Sequence, residues 1–197
     1  MSARGKILQA ADTLFGKIGF DATTTREIAK ISNTNKSLIH YHFKNKEGLF
    51  QSVLDHYFEN LSDTLQNVLL GREDIEDRLE HVINVYLDFL EQNKNYIRIV
   101  QREITGGKNM DRVIQHMIQN FQMVIKVIRK AYPKTRSGEL VAERLVISFY
   151  GMIITHFTCS GVLEHLLKTD LKSKETIQAR KNHLLAMADI IIKAIKE

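Results

Sequence analysis

Lys36, Ser37, His40 and Tyr41 gather a cation, a hydroxyl, an imidazole and a phenol into six residues of the segment KSLIHYHF. If residues 36–43 form a helix, these four lie opposite an i,i+4 apolar pair, Ile39 and Phe43. One side then packs, and the other offers donors and positive charge. Such a face suits phosphate oxygens and the edges of bases, not bond-breaking chemistry.

The flanking residues supply the elements that would hold this face in place. Thr24 and Glu27 have the spacing of a capping box, which starts a helix. Ile28, Ala29 and Ile31 give that helix a short apolar side. Ser32-Asn33-Thr34-Asn35 is too polar for core, and such side chains bond their own backbone, so the run predicts a turn. Asn35 can cap the second helix, and Asn45 can cap a third element that opens at Lys46. Two short helices joined by a polar turn are the layout of a helix-turn-helix over residues 24–43, whose second helix enters the DNA major groove.

Charge follows the same segment. The chain has a net charge of +5, of which +4 falls in residues 1–50 and +1 in the remainder. A localised basic end is the footprint of a polyanionic partner.

Other chemistries find little support. No Gly-rich phosphate loop, GxSxG, HExxH or CxxC is present. His156 and Cys159 stand i,i+3, but two ligands do not make a metal site. The expectation is therefore no enzyme, no cofactor and no metal. One cysteine in 197 residues excludes an intramolecular disulfide and fits a reducing compartment. The basic N-terminus is amphipathic and lacks the apolar run of a signal peptide, and no segment reads as a membrane span. The expected location is the cytoplasm.

With 44% hydrophobic residues the chain can bury a real core, and one proline with ten glycines favours an all-α protein. Nine helices are predicted. The first covers residues 3–18 and ends at Gly19. After the helix-turn-helix, the fourth runs from Lys46 to Gly71, and the fifth from an Asp74 cap to Gln92. A turn at 93–95 leads to the sixth over 96–104, and Gly106-Gly107 precedes the seventh over 109–132. A loop at 134–138 leads to the eighth over 139–167, with a kink near Ser160-Gly161. The ninth spans 174–196. Two domains are expected: residues 1–60 for DNA binding, and 61–197 for ligand sensing and dimerisation. The eighth and ninth helices carry LVISFYGMIITHF and LLAMADIIIKAI, more apolar than one bundle needs, so they are expected to meet a second copy.

The pattern I..AA..LF...GF..TT..EIA from Ile7, with S..HYHFKNKEGLF reaching Phe50, resembles the N-terminal domain of the tetracycline-repressor (TetR) family. The resemblance is strong from Ile7 to Phe50 and is one of architecture beyond. It implies a homodimer that binds a palindromic operator in double-stranded DNA and is released by a small molecule. By the same resemblance, Thr24 and Thr25 touch phosphate where the second helix begins, and Arg26 reaches a base. Asn35, Lys36 and Ser37 open the recognition helix, with Leu38 and His40 at its centre. Tyr41 and His42 match an aromatic-His pair near its end, and Lys46 a phosphate-binding lysine. The chain departs from the family at Leu38, where threonine is frequent, at His40, where tyrosine is usual, and at Ser37, where glycine is usual. Leu38 can instead touch a thymine methyl group.

Tyr86, Phe89, Met117, Phe121, Phe149, Met152 and His156 fall on helices expected to face one another. Such a lining suits a small, largely apolar ligand. The reading is therefore a dimeric regulator, acting as a repressor and released by such a ligand. Its alternatives are the same DNA-binding role with a protein partner or no inducer, and a helical ligand-binding protein or enzyme that does not touch DNA.

Overall fold

Ser2 accepts a hydrogen bond from the Gly5 amide at 3.2 Å, and this cap starts α1, Ala3–Ile18, in the computed structural model, which describes residues 1–196. Gly19, at φ 87°, ends α1 in a backbone conformation that side chains disfavour. The remaining elements are α2 (Thr25–Ser32), α3 (Lys36–Phe43), α4 (Lys46–Leu69), α5 (Ile75–Gln92), α6 (Lys94–Ile104) and α7 (Met110–Ala131). A 3-10 turn over Pro133–Arg136 leads to α8 (Ala142–Thr158), α9 (Ser160–Leu167) and α10 (Lys174–Lys196). The described residues contain no strand.

The structure is all-α, as the sequence predicts, but it has ten α-helices among the described residues rather than nine. The predicted eighth helix does not merely kink. It breaks at Cys159 (φ −107°, ψ 20°), and α8 and α9 meet at 80°. Two smaller corrections accompany this. The turn at 93–95 is reduced to Asn93, because α6 already begins at Lys94, and the loop at 134–138 contains the 3-10 turn. No single helix among the described residues is long and apolar enough to cross a membrane.

Two compact units emerge, and they do not follow chain order. The first comprises Met1–Leu61 together with Gln92–His116. Its core is built by Ile7, Leu14 and Phe15 of α1, Ile28 of α2, Ile39 and Phe43 of α3, and Leu49, Phe50, Leu54 and Phe58 of α4, all buried. Burying each such side chain stabilises by about 1.5–3 kcal/mol. Phe15 and Phe50 meet edge to face at 4.9 Å, and Phe20 lies 5.0 Å from Phe50.

α6 joins this unit through both apolar and polar contacts. Tyr96, Ile97, Ile99 and Val100 are buried. The Arg102 guanidinium donates to the carbonyls of Phe15 (3.0 Å), Gly16 (3.3 Å) and Lys17 (3.3 Å). A cation thus closes the C-terminus of α1, where carbonyls lack helical partners. A Cβ on Gly16 would stand 2.6 Å from the Asn95 side chain, so α1 and α6 approach where glycine leaves room. Asn95 Nδ2 donates to Asp12 at 2.8 Å, and the Tyr57 hydroxyl donates to the same carboxylate at 2.5 Å.

The second unit comprises Ser62–Glu91 and the chain from Met117. Ile128 of α7, Tyr132 just after it, Ala142, Leu145 and Val146 of α8, and Ile192 and Ile195 of α10 form its buried cluster. Lys181 of α10 pairs with Asp88 of α5, and Lys196 with Glu76 at 2.7 Å.

Candidate nucleic-acid interface

The start of α2 is a complete capping box. The Glu27 amide donates to Thr24 Oγ1 at 3.2 Å, while the Thr24 amide and hydroxyl donate to the Glu27 carboxylate at 2.9 and 2.7 Å. These two bonds hold the Glu27 carboxyl below its ordinary pKa. Asn33 ends α2 in the left-handed conformation (φ 50°, ψ 48°), which asparagine tolerates. The Ser32 hydroxyl donates to the Ile28 carbonyl at 2.7 Å and lies 2.8 Å from the Thr34 hydroxyl. Asn35 Oδ1 accepts from the Ser37 amide at 3.0 Å and opens α3.

α3 divides as its spacing predicts. Ile39 and Phe43 are 1% and 4% exposed, while Lys36, Ser37 and His40 are open to solvent and Tyr41 is 80% exposed. An aromatic ring left that open on a short, rigid helix adds nothing to the core. Tyr41 and His42 meet edge to face at 5.0 Å, and His42 is half-buried between this face and Phe43. Leu38 is half-buried. On α2, Arg26 and Lys30 are exposed and Thr25 is half-buried. The structure therefore brings Arg26, Lys36, Ser37, His40 and Tyr41 to the surface of one helix-turn-helix. Thr24 and Asn35 are exposed too, with their side chains used as caps.

The joint between α3 and α4 is strained. Lys44 has φ 68° and ψ −53°, and the Asn45 amide donates to the Phe43 carbonyl at 2.8 Å. Such a three-residue turn is rare for a residue with a side chain and costs on the order of 1–3 kcal/mol. Asn45 Oδ1 then accepts from the Gly48 amide at 2.8 Å, as predicted for a cap of α4.

Lys46 takes a role that its sequence position does not reveal. Its Nζ donates to the carbonyls of Phe20 (2.9 Å), Thr23 (2.9 Å) and Asp21 (3.4 Å), and lies 4.3 Å from the centre of the Phe20 ring. An ammonium has three donors. In the free chain all three point at backbone, so Lys46 fastens the α1–α2 loop to the start of α4. Nothing in local sequence marks those carbonyls as its partners, since they lie 23 to 26 residues away.

Of the seven residues expected to line an apolar site, Phe89 and His156 are buried and the other five half-buried. All belong to the second unit. Tyr150, which was not among them, lies 6.3 Å from Tyr86 and 5.1 Å from Phe121, ring centre to ring centre. Burial raises its hydroxyl pKa. His156 is lowered from its ordinary value by burial and by the charge of Arg180, despite a bond to the Leu171 backbone. Arg180 in turn donates to the Met152 carbonyl. Cys159 is exposed, and no three His, Cys, Asp or Glu residues among those described converge to hold a metal.

An all-α chain with a capped helix-turn-helix and a cationic recognition face belongs to the class of helix-turn-helix proteins. Residues 7–53 match the family of "Bacterial regulatory proteins, tetR family". A Bacillus subtilis relative, "Probable HTH-type transcriptional regulator YttP", is 30% identical over 52% of this chain and 51% of its own length. The HTH-type transcriptional repressor NicS of Pseudomonas putida is 24% identical over 98% of this chain and 92% of its own. A transcriptional regulator structure from Aquifex aeolicus superimposes with a TM-score of 0.73 at 19% identity, covering 96% of this chain and 99% of that one. The match to the TetR family covers the N-terminal helices, and over its whole length the chain is similar to transcriptional regulators of that fold. The chain spans 51% and 50% of the length of two Bacillus subtilis relatives that it matches at 30% and 37% identity.

Proposed function

We propose that this chain regulates transcription in the cytoplasm, as a repressor that binds a palindromic operator in double-stranded DNA as a homodimer. The observation that carries the reading is the division of α3, with Ile39 and Phe43 buried and Lys36, His40 and Tyr41 exposed. On this reading α3 lies in the major groove, and Lys36 and Arg26 contact guanine edges. Ser37, His40, Tyr41 and His42 add polar and stacking contacts, and Leu38 an apolar one. The first amides of α2 and α3 face phosphate beside Thr24, Thr25 and Asn35. Lys46 acts as a positioning residue behind them.

Dimerisation through the predicted eighth and ninth helices, residues 139–167 and 174–196, is supported by apolar side chains left open there. Ile147, Val162, Leu166 and Ile190 are each at least 60% exposed. Monomeric surfaces rarely leave such residues together in the open. Release by a small, largely apolar ligand is supported by the half-buried aromatic and methionine side chains of the second unit.

The test is recovery of genomic DNA on the purified chain, followed by sequencing. An inverted repeat enriched in a salt-sensitive manner is expected. Equal recovery of all sequences, or none, would overturn the reading. Sedimentation should give a dimer that dissociates in an Ile147→Glu, Val162→Glu variant.

A further inference from the structure

A groove of about 860 Å³ runs along α7 to the 3-10 turn and the first turn of α8, within the second unit. Ile118, Phe121 and Ile125 form its apolar floor, at the i, i+3, i+7 spacing of one helix face. Lys126, Arg129 and Lys130 of α7 and Arg136 of the 3-10 turn surround the remainder. The one carboxylate in the lining, Glu143, is paired with Arg129. Arg129 Nε and Glu143 Oε2 are both buried and have no hydrogen-bond partner.

Helix electrostatics accounts for part of this. Cations favour a helix C-terminus, and Arg129 and Lys130 stand in the last turn of α7. It does not account for Lys126 and Arg136 on the same rim, nor for an apolar floor on which Ile118 stays 45% exposed. An apolar strip that ends in excess positive charge is complementary to a molecule with an apolar chain and an anionic head.

We propose that this groove binds a single-chain anionic amphiphile. Its chain lies along Ile118, Phe121 and Ile125, and its carboxylate or phosphate head replaces Glu143 at the Arg129 guanidinium. The guanidinium fork matches either oxyanion. Lys126, Lys130 and Arg136 add charge around the head. From Ile118 to Arg129 the helix rises about 16 Å, the scale of a medium-length chain. The proposal adds an anionic head to the small, largely apolar ligand considered above, and of the seven residues considered there Phe121 alone lines this groove. Binding is read on the free chain, so the outcome does not depend on DNA recognition.

Calorimetric titration of the full chain with decanoate and decyl phosphate, both below micelle formation, tests it, with decanol as the uncharged control. Both anions should bind, and decanol at least about tenfold more weakly. Lys126→Gln, Lys130→Gln alters exposed residues only and should weaken decanoate about threefold to tenfold. Glu143→Gln should tighten it, because the competing carboxylate is gone. Thermal melting verifies that each variant is folded. Decanol binding as strongly as decanoate, an unaffected lysine variant, or weaker decanoate binding in Glu143→Gln would each overturn the proposal. So would capture of phosphatidylglycerol vesicles without uptake of decanoate, which assigns the face to a membrane surface.

Discussion

A Cβ on Gly48 would stand 2.2 Å from the carbonyl oxygen of Phe43. That oxygen is backbone, fixed by its bond from the Asn45 amide, so it cannot swing aside. Alanine normally stabilises a helix over glycine by about 1 kcal/mol. Here the overlap costs about 1–3 kcal/mol, and overlap wins. Gly48→Ala should lower the melting temperature and, by shifting α3 against α4, weaken operator binding. A variant that melts higher than the parent would show that the joint yields.

Lys46→Ala removes three bonds to the carbonyls of Phe20, Asp21 and Thr23. The expected loss of stability is about 1–3 kcal/mol, measured by denaturant unfolding. If Lys46 only positions the α1–α2 loop, the salt dependence of DNA binding keeps its slope. A slope reduced by about 1 would instead place Lys46 on a phosphate.

Lys36→Ala should relax sequence preference, with about 1–3 kcal/mol lost on the preferred site and little on others. Selection from randomised duplexes reads this directly. Recovery of the parent motif at parent stringency would remove Lys36 from the base-reading set.

Thr24→Ala deletes the cap of α2 and should cost about 1 kcal/mol. It also releases Glu27, whose folded pKa lies below its unfolded one. A carboxyl shifted that way contributes stability above its unfolded pKa, and loses it as pH falls through the folded value. The parent should therefore lose more stability than Thr24→Ala as the medium is acidified past the ordinary glutamate range. Parallel acid unfolding curves would contradict the coupling.

His156 carries the opposite charge change. Burial and Arg180 disfavour its protonated form, so the unfolded chain takes up a proton first. Its contribution is complete above the unfolded value near 6.5 and falls as pH drops from there towards the folded value. Melting temperature should decline between about pH 7.5 and about pH 5.5, and His156→Gln should flatten that decline. An equally steep decline in the variant would locate the effect elsewhere.

Local chemistry was readable before the structure. α1 and α3 begin and end where apolar spacing and caps put them, and Thr24, Asn35 and Asn45 cap as their types require. What was hidden depends on residues far apart in the chain. Ile31 sits on the apolar side of α2 by spacing, yet it is 55% exposed, because a helix of eight residues buries only its Ile28 side against α1 and α3. The bonds of Arg102 to the end of α1, and of Lys46 to Phe20, Asp21 and Thr23, join residues too far apart in the chain for local pattern to reveal. The break at Cys159 has no proline or glycine at the break itself, and the neighbouring Gly161 suggested only a bend. Tyr150 carries no mark in its own neighbourhood, because its ring partners, Tyr86 and Phe121, lie on α5 and α7.

The clamp of α6 on α1 bears on how such proteins can be recombined. Residues 1–61 transplanted alone onto another bundle would leave the carbonyls of Phe15, Gly16 and Lys17 without Arg102, and Asp12 without Asn95. The transplantable head is discontinuous, and a chimera that keeps its reading specificity must carry residues 92–116 along with it.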